Sequence, residues 1–272
     1  MQHREIESPN ELRDAIQGFW YTSIDFGKQP SNFEILPDGY AEIIFLFGST
    51  CSVSVNGDLQ PLPSPFLMGL LGQPVILHAQ NLVKVIGIKC FPWTVNELLG
   101  LSSSQGGVRI FEHPIAQLQA TLNGMIDAGA IDEALTEVKQ YFLNVRAGIS
   151  TNGMLSKAGS AMRKTNGTMP VSQVASAAHA TVRTLERNFK QSSGYTVKDV
   201  SGLMRFEQVR NHLLCYPDTK LTSLAQQLGY ADQAHLSREF KRYSGTTPAA
   251  FARKAKNGEH PIASNYVAFV QV

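Results

Sequence analysis

The sequence predicts an α+β protein in two parts, an antiparallel β-barrel or sandwich with helices followed by an all-helical half. Three observations lead there. Short β-branched and aromatic runs crowd residues 33–95, apolar residues recur every three or four positions from residue 114 onward, and the charge divides sharply near residue 150. Residues 1–150 hold 8 Lys and Arg against 15 Asp and Glu, a net of −7, whereas residues 151–272 hold 16 against 7, a net of +9. At 272 residues the chain is comfortable for two domains, each with its own core. The expected division is one domain over 1–150, a second over 154–256 and a tail over 257–272.

The strand elements come first. EIIFLFG (42–48), SVSVNGDL (52–59) and VKVIGIKCF (83–91) are β-branched or aromatic runs punctuated by Gly, Pro and Asn-Gly. Asn56-Gly57 is a hairpin signal because both positions accept positive φ. Several short strands at close spacing favour an antiparallel sandwich or small barrel. From Pro114 the pattern turns helical, with IAQLQATLNGMIDAG (115–129) and IDEALTEVKQYFLNV (131–145). In the second, Ile131, Leu135, Val138, Phe142 and Val145 form one apolar face, which either pairs two chains or covers the barrel. AGISTNG (147–153) reads as a linker, and the chain from 154 on reads as helix.

The basic half repeats itself. At an offset of 51 residues Leu185 falls on Leu236, Arg187 on Arg238, Phe189 on Phe240, Lys190 on Lys241, Ser193-Gly194 on Ser244-Gly245, and Thr196 on Thr247. Each unit holds a short helix (VSQVASAA or LTSLAQQL), a tight turn, and a second helix with Leu and Phe inside and Arg and Lys outside: a helix-turn-helix. Leu228-Gly229-Tyr230 puts Gly where positive φ is expected, and Thr181 and Asp232 stand where each second helix needs a side-chain cap. Between the units, residues 197–214 read as a connecting helix with Val200, Leu203, Phe206, Val209, Leu213 and Leu214 on one face. It spans roughly 26 Å at 1.5 Å per residue, and half a motif at either end brings the two reading helices near the ~34 Å between successive major-groove faces.

The stretch from Thr168 to about Arg253 resembles the tandem helix-turn-helix domain of AraC-type (AraC/XylS) transcription regulators. Ala225, Gly229, Tyr230, Leu236, Arg238, Phe240, Lys241, Gly245, Thr247 and Pro248 fall on the family signature. The first unit departs at its turn, where Ala178-His179-Ala180 stands in place of a Gly-containing step, and His tolerates positive φ less well than Gly. Position in the motif makes Arg183, Thr184, Glu186 and Arg187 the base-reading candidates of the first unit, and Gln233, Ala234, His235, Ser237 and Arg238 those of the second. Arg suits guanine O6 and N7, Gln suits adenine N6 and N7, and Glu accepts from cytosine N4. Lys190, Lys241 and Arg242 are the candidates for phosphate contact.

Residues 37–45 (PDGYAEIIF) and GIKCFPW (87–93) resemble the cupin-like, jelly-roll N-terminal domain of one branch of the same regulators. In that branch the domain binds an effector or mediates dimerisation. The resemblance thus implies double-stranded DNA, a small-molecule effector, a second copy of the chain and RNA polymerase as partners. Trp20, Tyr21, Phe45, Phe47, Phe91 and Trp93 are the candidates for an effector pocket, since ligand cavities are lined by apolar and aromatic groups.

Other classes find little support. His3, His78 and His113 stand apart, with no H-x-H or H-E-x-x-H, so no metal or cofactor is expected. Gly100-Leu101-Ser102-Ser103-Ser104 lacks the second Gly of a hydrolase elbow, and no phosphate-binding loop occurs, so no catalytic residue is assigned and an enzyme is not expected. The alternative function is an adaptor that binds DNA and whose N-terminal half recruits a protein and no small molecule. Cys51, Cys90 and Cys215 read as reduced, packed residues. The N-terminus lacks the apolar stretch of a secretion signal and no run approaches the roughly 20 apolar residues of a membrane helix, so a cytoplasmic location with no membrane contact is expected. The tail NYVAFVQV (265–272) reads as a strand, one that could add to a sheet edge.

Overall fold

The computed structural model describes residues 2–55, 57–101, 107–147 and 153–257. Two compact units result: Met1–Glu34, Tyr40–Gly69 and Val75–Thr151 in one, Ile35–Gly39, Leu70–Pro74 and Asn152–Val272 in the other. The strand-like tail at 265–272 lies outside the described residues.

The strands are β1 (Gln2–Glu7), β2 (Ile16–Asp25), β3 (Ser31–Ile35), β4 (Ala41–Gly48), β5 (Ser52–Val55), β6 (Asp58–Pro61), β7 (Phe66–Met68), β8 (Val75–Ala79), β9 (Leu82–Cys90) and β10 (Val108–Arg109). One sheet runs β1-β2-β9-β4-β7-β10, antiparallel throughout; the other runs β3-β8-β5-β6. Gly57, at φ +92°, sits in the β5–β6 hairpin that Asn56-Gly57 signals. β1 and β2 escape the sequence pattern. The first is a largely exposed edge strand, and the second is broken by Gly18 and a register shift between Ile16 and Gly18.

The period-2 alternation of a strand gives the six-stranded sheet two different faces. Phe19 and Tyr21 of β2, Ile86 and Ile88 of β9, and Ile43, Phe45 and Phe47 of β4 share one face and one core with α1 (Val95–Leu99), α2 (Leu118–Asp127) and α3 (Ile131–Ala147). From α3, Ile131, Ala134, Leu135, Val138 and Phe142 enter that core, with the Phe142 ring 6.2 Å from Phe19. Of the two readings of this helix face, covering its own sheet is the one the molecule adopts. Polar pins fix the register of helix on sheet. β7 stops pairing with β4 at Ile44, so the main chain of Leu46 needs other partners along that edge. Its N–H donates to Ser64 Oγ (2.8 Å), and its carbonyl accepts from Gln119 Nε2 of α2 (2.9 Å).

The opposite face carries Trp20, Thr22, Glu42, Ile44, Val85 and Lys89, all buried. Trp20 stands across from Gly87, and a Cβ at Gly87 would overlap the indole, so glycine is what lets the ring lie flat on the sheet.

The second unit holds α4 (Gly153–Lys164), α5 (Val171–Ala177), α6 (Val182–Ser193), α7 (Val197–Cys215), α8 (Leu221–Gln227), α9 (Gln233–Ser244) and α10 (Pro248–Lys256). α7 starts in a capping box: Thr196 Oγ1 accepts from Asp199 N–H, and the Asp199 carboxylate accepts from Thr196 N–H. The expectation of one apolar face on α7 falls short. Besides Val200, Leu203, Phe206, Val209 and Leu213, the residues Ser201, Glu207 and Arg210 are buried, while Leu214 is only half-buried. The reason is position: α6, α9 and α10 all pack on this helix, so little of its circumference is left for solvent. Arg210, 1% exposed, satisfies part of its guanidinium by donating from Nη1 to the carbonyl of Pro37, a residue of the same unit (3.2 Å). Phe206, Phe240, Tyr243 and Phe251 form a ring cluster with centroids 5.0–5.4 Å apart.

Candidate nucleic-acid interface

α5 and α6, and again α8 and α9, are joined by turns of the same construction. In the first, Ala180 N–H donates to Ala175 carbonyl at 2.9 Å; in the second, Tyr230 N–H donates to Ala225 carbonyl at 2.9 Å. The left-handed position is His179 (φ +52°) in one and Gly229 (φ +72°) in the other. The His179 departure therefore leaves the turn geometry intact; its side chain points to solvent. The two turns are 50 residues apart, whereas the reading helices behind them are 51 apart. The second helix-turn-helix thus carries one extra residue, Ala231, between turn and cap.

α6 and α9 are each capped at both ends. Thr181 Oγ1 accepts from Thr184 N–H (3.1 Å) and Asp232 Oδ1 from His235 N–H (2.6 Å), the two capping roles their positions predict. Gly194 and Gly245, both left-handed, end the helices. Leu185, Phe189, Leu236 and Phe240 are fully buried, which fixes the rotation of each helix and hence which side chains face out.

The candidate residues separate on that geometry. Arg183, Arg187, Lys190, Gln233, Ala234, Arg238, Lys241 and Arg242 are exposed. Arg242 lies 3.4 Å from Asp199 Oδ1 and over the Tyr243 ring, a surface pair worth little. Thr184, His235 and Ser237 are half-buried: Thr184 Oγ1 accepts from Thr181 Oγ1, and the His235 ring meets Tyr230 edge-on at 5.2 Å. Glu186 is half-buried and has a partner within the fold. Its Oε2 accepts from Val197 N–H at 3.1 Å, so the carboxylate serves the first turn of α7, where an anion complements the helix dipole.

Sequence reasoning misses what holds α9 in place. Arg205 of α7 donates from Nη1 to Gly167 carbonyl (2.8 Å) and from Nη2 to both Glu239 oxygens (3.1 and 2.8 Å), with its guanidinium over the Tyr230 ring. Burial, then Glu239, pushes the Tyr230 phenol far above its ordinary range. Burial likewise raises Tyr243 to about 12. It misses Val182 too, an exposed residue at the first position of α6 that the same 51-residue offset places on Gln233.

In the first unit the proposed effector aromatics do not form one set. Tyr21, Phe45 and Phe47 belong to the core under α2 and α3, while Trp20 faces the other way. Neighbouring strand residues point to opposite faces, so grouping Trp20 with Tyr21 by residue type cannot make a pocket. On the Trp20 side, Phe91 stacks on Trp93 (5.3 Å) and lies 5.9 Å from Tyr40, whose ring carries Lys89 Nζ at 4.3 Å. Among the described residues no group of three or more His, Cys, Asp or Glu could hold a metal ion, and no helix is long and apolar enough to cross a membrane. Cys51 and Cys90 are buried, with burial raising the Cys51 thiol to about 11, but Cys215 is exposed and does not pack as expected.

Comparison with known proteins agrees with this layout. Residues 174–254 match a family described as a helix-turn-helix domain, and residues 4–107 match a domain family of unknown function, DUF6597. The transcriptional activator RhaS of Yersinia pestis (strain Pestoides F) is 37% identical over 67 residues, 25% of this chain and 24% of RhaS. The transcriptional regulator RipA of Corynebacterium diphtheriae is 32% identical over 82 residues, 30% of this chain and 24% of RipA. The aligned part thus spans about a quarter of the length of these curated relatives. Among solved structures, unsaturated fatty acid bound ToxT from Vibrio cholerae strain SCE256 aligns with a TM-score of 0.48 at 13% identity, covering 91% of this chain and 96% of ToxT. The second unit is a tandem helix-turn-helix domain of the AraC/XylS type, set behind an N-terminal domain of antiparallel sheets.

Proposed function

We propose that the chain is a sequence-specific DNA-binding transcription regulator that reads duplex DNA with α6 and α9. One observation carries this: two helices, each capped at both ends and rotationally fixed by a buried Leu and Phe, leave Arg183, Arg187, Gln233 and Arg238 exposed on a half of the chain whose net charge is +9. Side chains at the N-terminal end of such a helix reach base edges in the major groove, while lysines such as Lys190 and Lys241 neutralise phosphate. In this reading Arg183 and Arg187 take guanine and Gln233 takes adenine.

The first unit supplies control in the same reading, by an effector or by pairing of two chains. The apolar face of α3 is spent on its own sheet, so pairing uses another surface. An effector meets the Trp20, Phe91 and Trp93 side of the sheet, where buried Lys89 and Glu42 add charge to aromatic surface. RNA polymerase is the partner through which a regulator of this kind acts.

The experiment is a binding selection on genome fragments with the purified full chain, followed by salt titration on the best site. A defined site of about two helical turns, bound far more tightly than random DNA and weakening steeply with salt, is expected. Equal, weak binding to every fragment would remove the sequence-specific reading.

A further inference from the structure

Val182 is an exposed apolar residue at the open start of α6, which neither phosphate contact nor the core explains. It is 44% exposed at the first position of the helix, beside exposed Arg183 and five residues before Arg187. Leu185 and Phe189, three and seven residues further on, are fully buried, whereas Val182, at the start of the helix, stays exposed. A β-branched apolar residue is also a poor choice for a solvated first turn, where an acid would favour the helix dipole. Among the described residues of the second unit, only Val182 and Tyr216 are large hydrophobics left this exposed.

The counterpart position in the second helix-turn-helix makes the contrast chemical. Gln233 stands at the first position of α9 and can form two hydrogen bonds to a base edge; Val182 can form none. What an exposed isopropyl group can recognise in a major groove is the C5-methyl of thymine, the one apolar feature displayed there. Resting on the DNA-reading role proposed above, we infer that Val182 is a specificity-determining residue that packs on a thymine methyl in the half-site read by α6. The first helix-turn-helix then reads by Arg183 and Arg187 on guanine with an adjoining thymine, and the second helix-turn-helix by hydrogen bonding from Gln233.

The test replaces single thymines by uracil, which removes only the methyl, across the operator obtained from the selection. Affinities are measured for the full chain and for V182A and V182T. One or two adjoining thymines are expected at which uracil weakens the unaltered protein about fourfold, the equivalent of one buried methylene. V182A should bind the thymine site about as weakly and be indifferent to the uracil change, so that the two losses do not add. V182T, which keeps shape and one methyl, should retain part of the discrimination. Circular dichroism of V182A should be unchanged, as the residue is outside the core. If every uracil effect persists in V182A, or none is seen, the assignment is overturned while tight, salt-dependent operator binding leaves the DNA-reading role standing. Loss of any preferred site in the unaltered protein overturns both.

Discussion

The two turns offer a reciprocal experiment, because the same left-handed position is filled by His179 in one unit and Gly229 in the other. For an L-residue that conformation costs roughly 1–2 kcal/mol, and glycine avoids the cost while losing about 0.5–1 kcal/mol of chain entropy. In the second unit a side chain meets a further obstacle: a Cβ at Gly229 would lie 3.1 Å from Thr168 Cβ and Cγ2, so that Thr168 must yield by a few tenths of an ångström. Gly229→Ala is expected to weaken its turn by about 1 kcal/mol, the residue cost net of the entropy gained. His179→Gly works in the other direction, and because the His179 side chain is exposed nothing but backbone strain changes. The expected gain is small, roughly 0.5 kcal/mol. Native-state hydrogen exchange reads both directly, since the amides of Ala180 and Tyr230 close the two turns with bonds of the same length. About fivefold faster exchange at Tyr230 in Gly229→Ala, with slower exchange at Ala180 in His179→Gly, is the expected pair. Unchanged exchange at Tyr230, or faster exchange at Ala180, would show that the backbone conformation is not what limits these turns.

Other expectations follow from individual contacts. Arg187→Ala should weaken specific binding by roughly 1–3 kcal/mol and relax preference at one base position in a gel-shift titration, whereas Glu186→Gln should leave base preference unchanged and lower thermal stability through the start of α7. Altered base preference in Glu186→Gln would show that this residue also reads a base. Phe142→Ala should cost about 3–5 kcal/mol in denaturant unfolding of the first unit, independent of protein concentration, because the ring is spent within one chain. A concentration-dependent loss would mean that this face pairs chains. The buried Cys51 thiol has an ordinary value of 9.0 and is raised to about 11, so it stays neutral in the folded protein while the unfolded chain ionises. Its contribution is fully present below pH 9 and is lost as pH rises to about 11, with a slope of roughly 1 kcal/mol per pH unit. Cys51→Ala should flatten that slope in pH-dependent unfolding, and an equal slope in the variant would assign the loss elsewhere.

The helical unit is legible in the sequence because its determinants are local. Thr181, Asp232, Gly194, Gly229 and Gly245 each fix a backbone conformation within four residues, so their spacing alone marks where helices start and stop. Glu186 is illegible for the converse reason: the amide it serves, Val197, is 11 residues away on another helix. In the first unit the central strands show in their β-branched runs, but β1 hides behind its polar residues and β2 behind Gly18. The aromatic set fails on a subtler point. Residue type says that Trp20, Tyr21, Phe45 and Phe47 are apolar; only strand register says that Trp20 turns its back on the other three.

The first turns of the helices carry a further argument about what the second unit meets. An acid near a helix N-terminus typically contributes 0.3–1 kcal/mol, and α3 uses two, Asp132 and Glu133. In the second unit, among the described helices, only α7 has one, Asp199, and there it completes a capping box. α4, α5, α6, α8, α9 and α10 have none. The caps of α5, α6, α8 and α10 are Pro170, Thr181, Lys220 and Thr247, none of them acidic, whereas α9 is capped by the carboxylate of Asp232. The charge asymmetry seen at the level of the whole chain is thus repeated at the level of single turns. The stability the helices give up is replaced by packing, in Leu185, Phe189, Leu236 and Phe240 and the ring cluster around Phe206, which a polyanion does not touch.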